Sequence, residues 1–433
     1  MSDALQKFLE ASSSADTAAC LPWLKTIRDS ARARLRETGF PNTRQEEWRF
    51  TNVAPLLELP LHPAAQNGHR VSAGDLEPFR FDVGGVCLVF VDGWFRPDLS
   101  SVPPQGARFE ADSLRERLKG GADGLQKHLA RHASFDTNFF TALNTAFFQD
   151  GAFISVPAGV ALEHPVQLLF VASSEQPGAA AQTRNLILAD RGAAVKVVET
   201  YVSLTAAPYF TNAVTELVVG PEAHVEHCRI QNENLRAFHI AAVQSVLEKD
   251  SRWLSHSIAS GGRFARNQIQ ALLNAPGAEA VLNGLYLGRD EQLIDHHTVV
   301  DHAKPNCESH EYYHGILADR SHGVFNGKIF VRQDAQKTNA KQTNRNLVLS
   351  ENAVIDTKPQ LEIFADDVKC THGATVGQLN DEALFYLQSR GIGADHARRM
   401  LIRAFASDVV GRITIEPVRE RLDSLLAKRF DHG

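Results

Sequence analysis

The hydrophobic pattern changes its period along the chain. Between residues 21 and 38, apolar side chains recur every three or four positions at Leu24, Ile27, Ala31 and Leu35, which predicts an amphipathic helix. From about residue 150 to 375, apolar residues alternate with polar ones or form short runs broken by Gly, Asp and Asn, which is typical of strands and tight turns. The first change of period therefore marks the start of a strand-rich core.

The helical period returns after residue 380. It predicts helices over 381–390, 394–411 and 417–429. In the second of these, Ala397, Met400, Leu401, Ala404, Phe405 and Val409 are predicted to share one apolar face. We therefore divide the chain into an N-terminal helical and mixed region (1–136), a strand core (137–375) and a C-terminal helical domain (376–433).

The strand core consists of a repeated unit of strand, polar turn and strand. The first apolar residues after successive turns are Val195, Val225, Leu254, Val281, Val324 and Val354. Their spacings are 30, 29, 27, 43 and 30 residues, and a near-constant period of this length indicates a β-solenoid capped by the terminal helices. A large β-sandwich with coincidental spacing is the alternative. We assign the long interval to an insertion at residues 295–314.

Composition and charge argue against several classes of protein, among them nucleic-acid-binding, membrane-spanning and secreted proteins. The chain has 433 residues, of which 43% are hydrophobic, and a net charge of −6, which argues against a protein that neutralises nucleic-acid phosphates. No apolar run approaches the roughly 20 residues of a membrane span, and the first residues lack a secretory pattern. The five cysteines are scattered and odd in number, unlike a disulfide framework, so we expect a cytoplasmic protein.

The motifs of common enzymes are missing from the sequence. There is no G-x-x-x-x-G-K-[ST] phosphate loop, no G-x-G-x-x-G after a strand, no G-x-S-x-G and no H-E-x-x-H. We therefore expect a protein that is not an enzyme and does not hydrolyse ATP by itself.

Two segments carry candidate metal ligands. The segment 295–314 contains His296, His297, His302, Cys307, His310 and His314. Its irregular spacing favours hydrogen-bonding histidines over a zinc site. In 367–377, an extended strand would place Cys370 and His372 on one side, with Cβ atoms roughly 6–7 Å apart. Two ligands cannot hold an iron–sulfur cluster, which normally takes four, so a cluster here would be shared or transient.

The chain resembles the SufB/SufD family of iron–sulfur cluster assembly proteins. The resemblance rests on three segments, which are TRQEEWRFTNVAPL (43–56), LNTAFFQDGAFISVPAGVALEHPVQLLF (143–170) and CTHGATVGQLNDEALFYLQSRGIGADHARRMLIRAFASDVV (370–410). It implies a right-handed parallel β-helix core flanked by helical regions. The EEWRFT segment, and Thr371-His372-Gly373-Ala374-Thr375 where SufB members carry E-H-E-A-T, are similar to the SufD branch.

The resemblance also implies partners and a role. The chain would form a heterodimer with SufB and dock the SufC ATPase on its C-terminal helices. Docking residues on this reading are Arg398, Met400, Leu401 and Phe405. His372, assisted by Cys370, would serve a transient iron–sulfur cluster shared with SufB, with no tightly bound cofactor in the isolated chain. Whether the chain forms a homodimer in the absence of SufB is not decided by the sequence.

Two rival functions follow from the residues alone. One is a β-helix enzyme of the polysaccharide lyase or acyltransferase type, which would normally show carboxylate and basic clusters along one ladder of strands. The other is a structural solenoid that stores metal in the histidine-rich segment 295–314. Stoichiometric metal in the isolated chain would support the second.

Overall fold

The protein is described here from a computed structural model that covers residues 3–14, 21–66, 71–120 and 124–430. Cys20 lies outside the described residues. The strands are β1 (His62–Pro63), β2 (Cys87–Val91), β3 (Trp94–Phe95), β4 (Glu110–Ser113), β5 (Ala152–Val156), β6 (Val166–Ala172), β7 (Ala179–Ala189), β8 (Ala194–Ser203), β9 (Phe210–Val219), β10 (His224–Asn232), β11 (Phe238–Leu247), β12 (Arg252–Ala259), β13 (Phe264–Leu273), β14 (Glu279–Gly288), β15 (Leu293–His302), β16 (Glu308–Leu317), β17 (His322–Val331), β18 (Asn339–Val348), β19 (Val354–Ile363) and β20 (Lys369–Gly377).

Helices are confined to the two terminal regions and to the segment just before β5. The α-helices are α1 (Asp3–Ser14), α2 (Pro22–Thr38), α3 (Ala73–Leu76), α4 (Leu114–Lys119), α5 (Phe139–Phe147), α6 (Asp381–Ser389), α7 (Ala394–Val410) and α8 (Glu416–Phe430). Single turns of 3₁₀-helix lie at Glu46–Trp48, Ala54–Glu58, Glu77–Phe79, Pro97–Leu99 and Leu125–Lys127. Among the described residues, no helix combines the length and the apolar character needed to cross a bilayer.

The core is a parallel β-solenoid. Each coil contributes one odd-numbered strand to a first sheet (β5 to β19) and one even-numbered strand to a second sheet (β6 to β20), which gives eight coils in the described chain. Neighbouring coils pair in parallel throughout, so the solenoid is confirmed and the β-sandwich is wrong. At the N-terminal end β2 pairs with β6 and β4 with β5, so both sheets begin before residue 137, and the domain boundaries stay a prediction.

The register of the second sheet shows that no coil is enlarged. One column of the second sheet shows this, because each of its residues pairs with the next one, 27 to 31 residues further along the chain. The column consists of Val195, Val225, Trp253, Ala280, Ser309, Ala340 and Cys370. The insertion predicted at residues 295–314 is wrong, because β15 and β16 occupy this segment. Their inward positions include His296, His302 and Glu311, which are buried. Because these inward positions carry polar residues, the sequence of β15 and β16 lacks the alternation of apolar and polar residues that predicts a strand.

The turns between strands explain the recurrence of Gly, Asp and Asn. Asp250, Asp290, Asn306 and Asp319 have φ between 52° and 59°, in the left-handed region. Short polar side chains tolerate this conformation, and Gly277 reaches it without a Cβ penalty. These turns reverse the chain at the edge of each coil and keep the coils in register.

The N-terminal helices pack on the outer face of the first sheet. The helix predicted from residue 21 to 38 is confirmed as α2, which lies against α5. Leu35 and Phe140 share a buried cluster with Phe210, Phe238 and Phe264, whose strands β9, β11 and β13 are adjacent. This cluster fixes the N-terminal region to the side of the solenoid.

The C-terminal helices also pack on a side of the solenoid and do not cap its end. Ile402 and Ala406 of α7 share a buried cluster with Leu285, Ile316 and Leu347 of the second sheet. The expectation that these helices close the C-terminal end of the solenoid is therefore wrong. The apolar outer positions of β14, β16 and β18 bury the apolar side of α7.

The buried face of α7 also differs from the predicted one. It consists of Ala397, Ile402, Ala406, Val409 and Val410. Met400 is 41% exposed and Ala404 is exposed, so the predicted apolar face is wrong in part: the buried face lies on a different side of the helix. Ala397 and Val409 belong to both the predicted and the observed face. The helix combines apolar residues on more than one side, and the sequence pattern does not tell which side meets the sheet.

The last coil forms an open end. Among the strands of the described residues, β19 pairs only with β17 in the first sheet and β20 only with β18 in the second, so each has an edge that no described strand occupies. The exposed apolar side chains Val354, Ile363, Phe364 and Val376 lie on or beside these strands and are between 37% and 59% exposed. The opposite end of the solenoid is covered by β3 and β4, which pair antiparallel with β2 and β5.

Because the interior of the solenoid is tightly packed, we expect its glycines to differ in how well they tolerate substitution by alanine. A Cβ at Gly284 would lie 2.1 Å from the buried ring of Tyr313, whereas a Cβ at Gly377 would meet nothing within 4 Å. We expect Gly284→Ala to lower the free energy of unfolding by about 1–3 kcal/mol through overpacking. Gly377→Ala is the matched control and should change it little. Equal unfolding midpoints in denaturant for the two variants would contradict the inward placement of Gly284.

Candidate functional site

The two ligand candidates lie side by side on the open end. Cys370 pairs with Ala340 and His372 with Gln342, both of which are buried inward positions of β18. Because side chains alternate along a strand, Cys370 and His372 point to the interior side of the last coil. No further coil of the described chain covers them, and His372 is exposed on this interior face.

The surroundings of the two side chains differ. Cys370 is half-buried against Val331, Ala340 and Ala365, and burial raises the pKa of its thiol. The thiol is therefore protonated at neutral pH, and binding to iron has to displace the proton. His372 is exposed. Its imidazole is free to approach a ligand bound at the open end.

The described residues contain no group of three or more His, Cys, Asp or Glu side chains that could hold a metal. Cys87 on β2, Cys228 on β10 and Cys307 in the turn before β16 are buried elsewhere in the fold. Cys370 and His372 can therefore supply two ligands to an iron site but cannot complete one from the described part of this chain.

The histidines of segment 295–314 lie in different parts of the solenoid and have different hydrogen-bond partners. His296 is within 3.3 Å of the Ser257 hydroxyl and His302 within 2.9 Å of the Ser309 hydroxyl, both inside the solenoid. His314 lies on the outer face, where its ring stacks on Phe405 at 4.5 Å and its Nδ1 is 3.0 Å from the Phe405 carbonyl oxygen. This dispersal agrees with the expectation of hydrogen-bonding histidines.

A buried carboxyl group lies two strands behind His372. The register places Glu311 on β16 next to Gln342 on β18, and Gln342 next to His372 on β20. The Gln342 amide donates to Glu311 Oε2 at 3.3 Å, and the Thr298 hydroxyl donates to the same oxygen at 2.6 Å. Burial raises the pKa of Glu311 to about 7.

Three other buried carboxylates of the solenoid have an arginine or histidine partner. Glu216 is 2.9 Å from Arg184, Glu233 is 2.7 Å from His239, and Asp295 pairs with Arg266. The partners hold the pKa of Glu216 and Asp295 below the ordinary range despite burial. Glu311 differs from these three and resembles Asp150, just before β5, because only neutral groups offset its burial.

The predicted docking residues of α7 are unequally accessible. Met400 is 41% exposed, whereas Leu401 and Phe405 are half-buried and Phe405 packs on His314. Arg398 is exposed and donates to the Leu349 carbonyl at 3.3 Å. The most exposed apolar residues of the helical region are instead Phe385 (71%) and Tyr386 (58%) of α6, which the sequence reasoning did not select.

Comparison with known proteins places this geometry in a family. Residues 170–405 match the family described as "SUF system FeS cluster assembly, SufBD core domain", and residues 2–168 match "SufBD protein N-terminal region". The chain belongs to the SufBD family of iron–sulfur cluster assembly proteins. The first match covers the solenoid from β6 to β20 and continues into α7.

Individual relatives agree with this assignment over most of the chain. It is 33% identical to the iron–sulfur cluster assembly protein SufD of Escherichia coli, over 92% of this chain and 91% of that protein. It is 31% identical to SufD of Bacillus subtilis over 71% of each chain, and 30% identical to the chloroplastic protein ABCI7 of Arabidopsis thaliana over 96% of this chain and 88% of that protein. The resemblance to SufD is thereby confirmed.

The uncompensated Glu311 predicts a pH-dependent stability. Its pKa is raised from an ordinary 4.5 to about 7, so its favourable contribution is complete below pH 4.5 and is lost as pH rises through 7. We expect Glu311→Gln to match the wild type near pH 4.5 and to exceed its free energy of unfolding by about 3 kcal/mol at pH 8. Denaturant unfolding at both pH values measures this.

Contributions from other titrating groups cancel in the difference between variant and wild type. Glu351→Gln, in an exposed turn, is the matched control and should show no such divergence. A Glu311→Gln difference that is the same at both pH values would show that folding does not raise the pKa of Glu311.

Proposed function

We propose that the chain is a non-catalytic scaffold subunit of a SufBCD complex in the cytoplasm, and that it contributes His372 and Cys370 to a nascent-cluster site shared with SufB. The observation that carries this proposal is the open end of the solenoid. There, two potential iron ligands lie on an interior face that no part of the described chain covers. Iron and sulfide are cargo on this account.

The free strands of the last coil are suited to pairing with a second solenoid. An unpaired edge strand exposes N–H and C=O groups that can pair with another chain, and proteins usually shorten or protect such edges. Here two edge strands of 10 and 9 residues lie in the same coil, with exposed Val354 and Val376 on them. SufB is the occupant that we favour, and a second copy of this chain is the alternative.

The incomplete ligand set suits a site that has to release its cluster. A [2Fe–2S] or [4Fe–4S] cluster normally takes four protein ligands, of which this chain would give two. Sharing the site across an interface lets relative movement of the subunits separate the ligands. The isolated chain should therefore hold no tightly bound cluster.

The C-terminal helices connect this end to a surface that an ATPase could use. β20 ends at Gly377 and α6 begins at Asp381, so the strand that bears His372 leads directly into the helices. Phe385, Tyr386 and Met400 are exposed there. Because the sequence has no phosphate loop, we assign ATP hydrolysis to SufC docked on α6 and α7.

The docking surface can be tested with a matched pair of substitutions. Met400→Asp and Phe385→Asp should each abolish co-purification of SufC, because an isolated charge disrupts an apolar interface. Leu235→Asp, at a position 38% exposed on the solenoid, is the control for Met400→Asp and should leave SufC bound. All variants should keep the circular dichroism of the wild type. Folded α6 and α7 variants that still retain SufC would refute this docking surface.

The ligand role of His372 predicts a loss of cluster without a loss of the complex. His372→Ala should leave SufB and SufC bound and severely lower the iron and sulfide recovered on the complex, because an imidazole is a competent iron ligand. Cys370→Ala should have the smaller effect, since its thiol has to lose a proton from a half-buried position. Normal iron and sulfide content in the His372→Ala complex would contradict the assignment.

A further inference from the structure

The interior of the solenoid directly behind His372 contains a single column of polar side chains. Glu311, Gln342 and His372 occupy equivalent positions on β16, β18 and β20. Two inter-strand spacings separate Glu311 from His372, which is about 10 Å. Glu311 and Gln342 are buried, and Oε1 of each has no hydrogen-bond partner in the described structure.

The groups that face Glu311 leave its charge uncompensated. Neighbouring strands bring the Thr298 hydroxyl from β15, Leu282 from β14 and the Gln342 amide from β18. On its own strand the titratable neighbour is Tyr313, whose pKa is raised by burial and by the Glu311 charge.

Two histidines nearby are also uncharged at neutral pH. His296 lies two residues before Thr298, and His302 contacts Ser309, two residues before Glu311. Burial lowers the pKa of His296 to about 3 and that of His302 to about 4. No cation within this set offsets a charge on Glu311.

We propose that Glu311 is the buried charge partner of iron bound at the open end, and that between about pH 6 and pH 7 it passes from the protonated to the ionised form when ferrous iron binds there. This inference rests on the proposed function of His372. When iron arrives, the O–H bond of the Glu311 carboxyl breaks and the proton leaves to solvent, so the carboxylate offsets part of the iron charge through the low-dielectric interior. No oxidation or reduction is involved.

The same coupling favours release of a finished cluster. Sulfide and thiolate ligands reduce the positive charge at the open end as the cluster forms. The carboxylate then loses its cationic partner and takes up a proton again, because burial alone favours the neutral acid. Glu311 thus strengthens the hold on iron ions more than the hold on a completed cluster.

The test uses the complex of this chain with SufB and ferrous iron alone, under anaerobic conditions. Affinity is measured by competition with a chromogenic chelator between pH 6 and pH 8.5, and released protons are counted with a pH indicator. Glu311→Gln should weaken iron binding by about tenfold or more at pH 8, from the attraction between charges about 10 Å apart. Near pH 6 it should change the affinity little, because the wild-type carboxyl is then largely protonated.

Thr298→Val is the matched variant, because it removes a hydrogen bond that lowers the Glu311 pKa and leaves the carboxyl in place. It should move the midpoint of the pH dependence upward, whereas Glu311→Gln should remove the dependence together with the part of the proton release that comes from Glu311, which is largest at and just below pH 7. Wild-type affinity and proton release in Glu311→Gln would overturn the proposal if His372→Ala weakens binding in the same assay. Unchanged binding in His372→Ala would instead refute the proposed function of the open end.

Discussion

Parallel, in-register stacking of the coils is the constraint on which the rest of this structure depends. Each inward position becomes part of a column, as the series from Val195 through Trp253 to Cys370 shows. A column has no natural end, because the last coil offers the same pairing edge as every coil before it. The residues on that coil therefore combine inward-facing side chains with exposure to solvent at an unpaired edge.

Stacking also determines what the interior can contain. Apolar columns dominate the half near β2, where the rings of Phe90, Phe170 and Tyr201 stack at 4.9 and 4.8 Å. From the second coil onward, charged groups also occupy the interior with partners, as in Glu199 on β8 and His227 on β10 at 2.9 Å, because an unpaired buried charge is costly. Toward the open end the partners become neutral amides and hydroxyls. A carboxyl group in this environment responds to charge that arrives from outside.

Some of this organisation could be predicted from the sequence. Helix α2, the strand period and the pair Cys370 and His372 were evident because apolar spacing reports directly on which face of an element is buried. β15 and β16 were mistaken for an insertion, since His296, His302 and Glu311 occupy positions where the pattern requires apolar residues. The buried face of α7 was misplaced because Met400 and Ile402 are both apolar and only the sheet decides between them.

The open end could not be predicted from the sequence either. Whether terminal helices lie across the last coil or along its side depends on competition between two surfaces. Here Leu285, Ile316 and Leu347 provide the apolar contact for α7 on the side of the solenoid. The role of Glu311 was hidden for a related reason, since its environment is made by three strands that are distant in sequence.

The central claim is that the free edges of β19 and β20 are the contact surface for SufB. Hydrogen–deuterium exchange of the folded chain, measured alone and with SufB, tests it directly. We expect amides of residues 354–377 to exchange readily in the isolated chain and to become protected in the complex, with β8 to β12 unchanged as the internal reference. Protection confined to the outer faces or to α6 and α7, with the last coil still exchanging, would contradict the account.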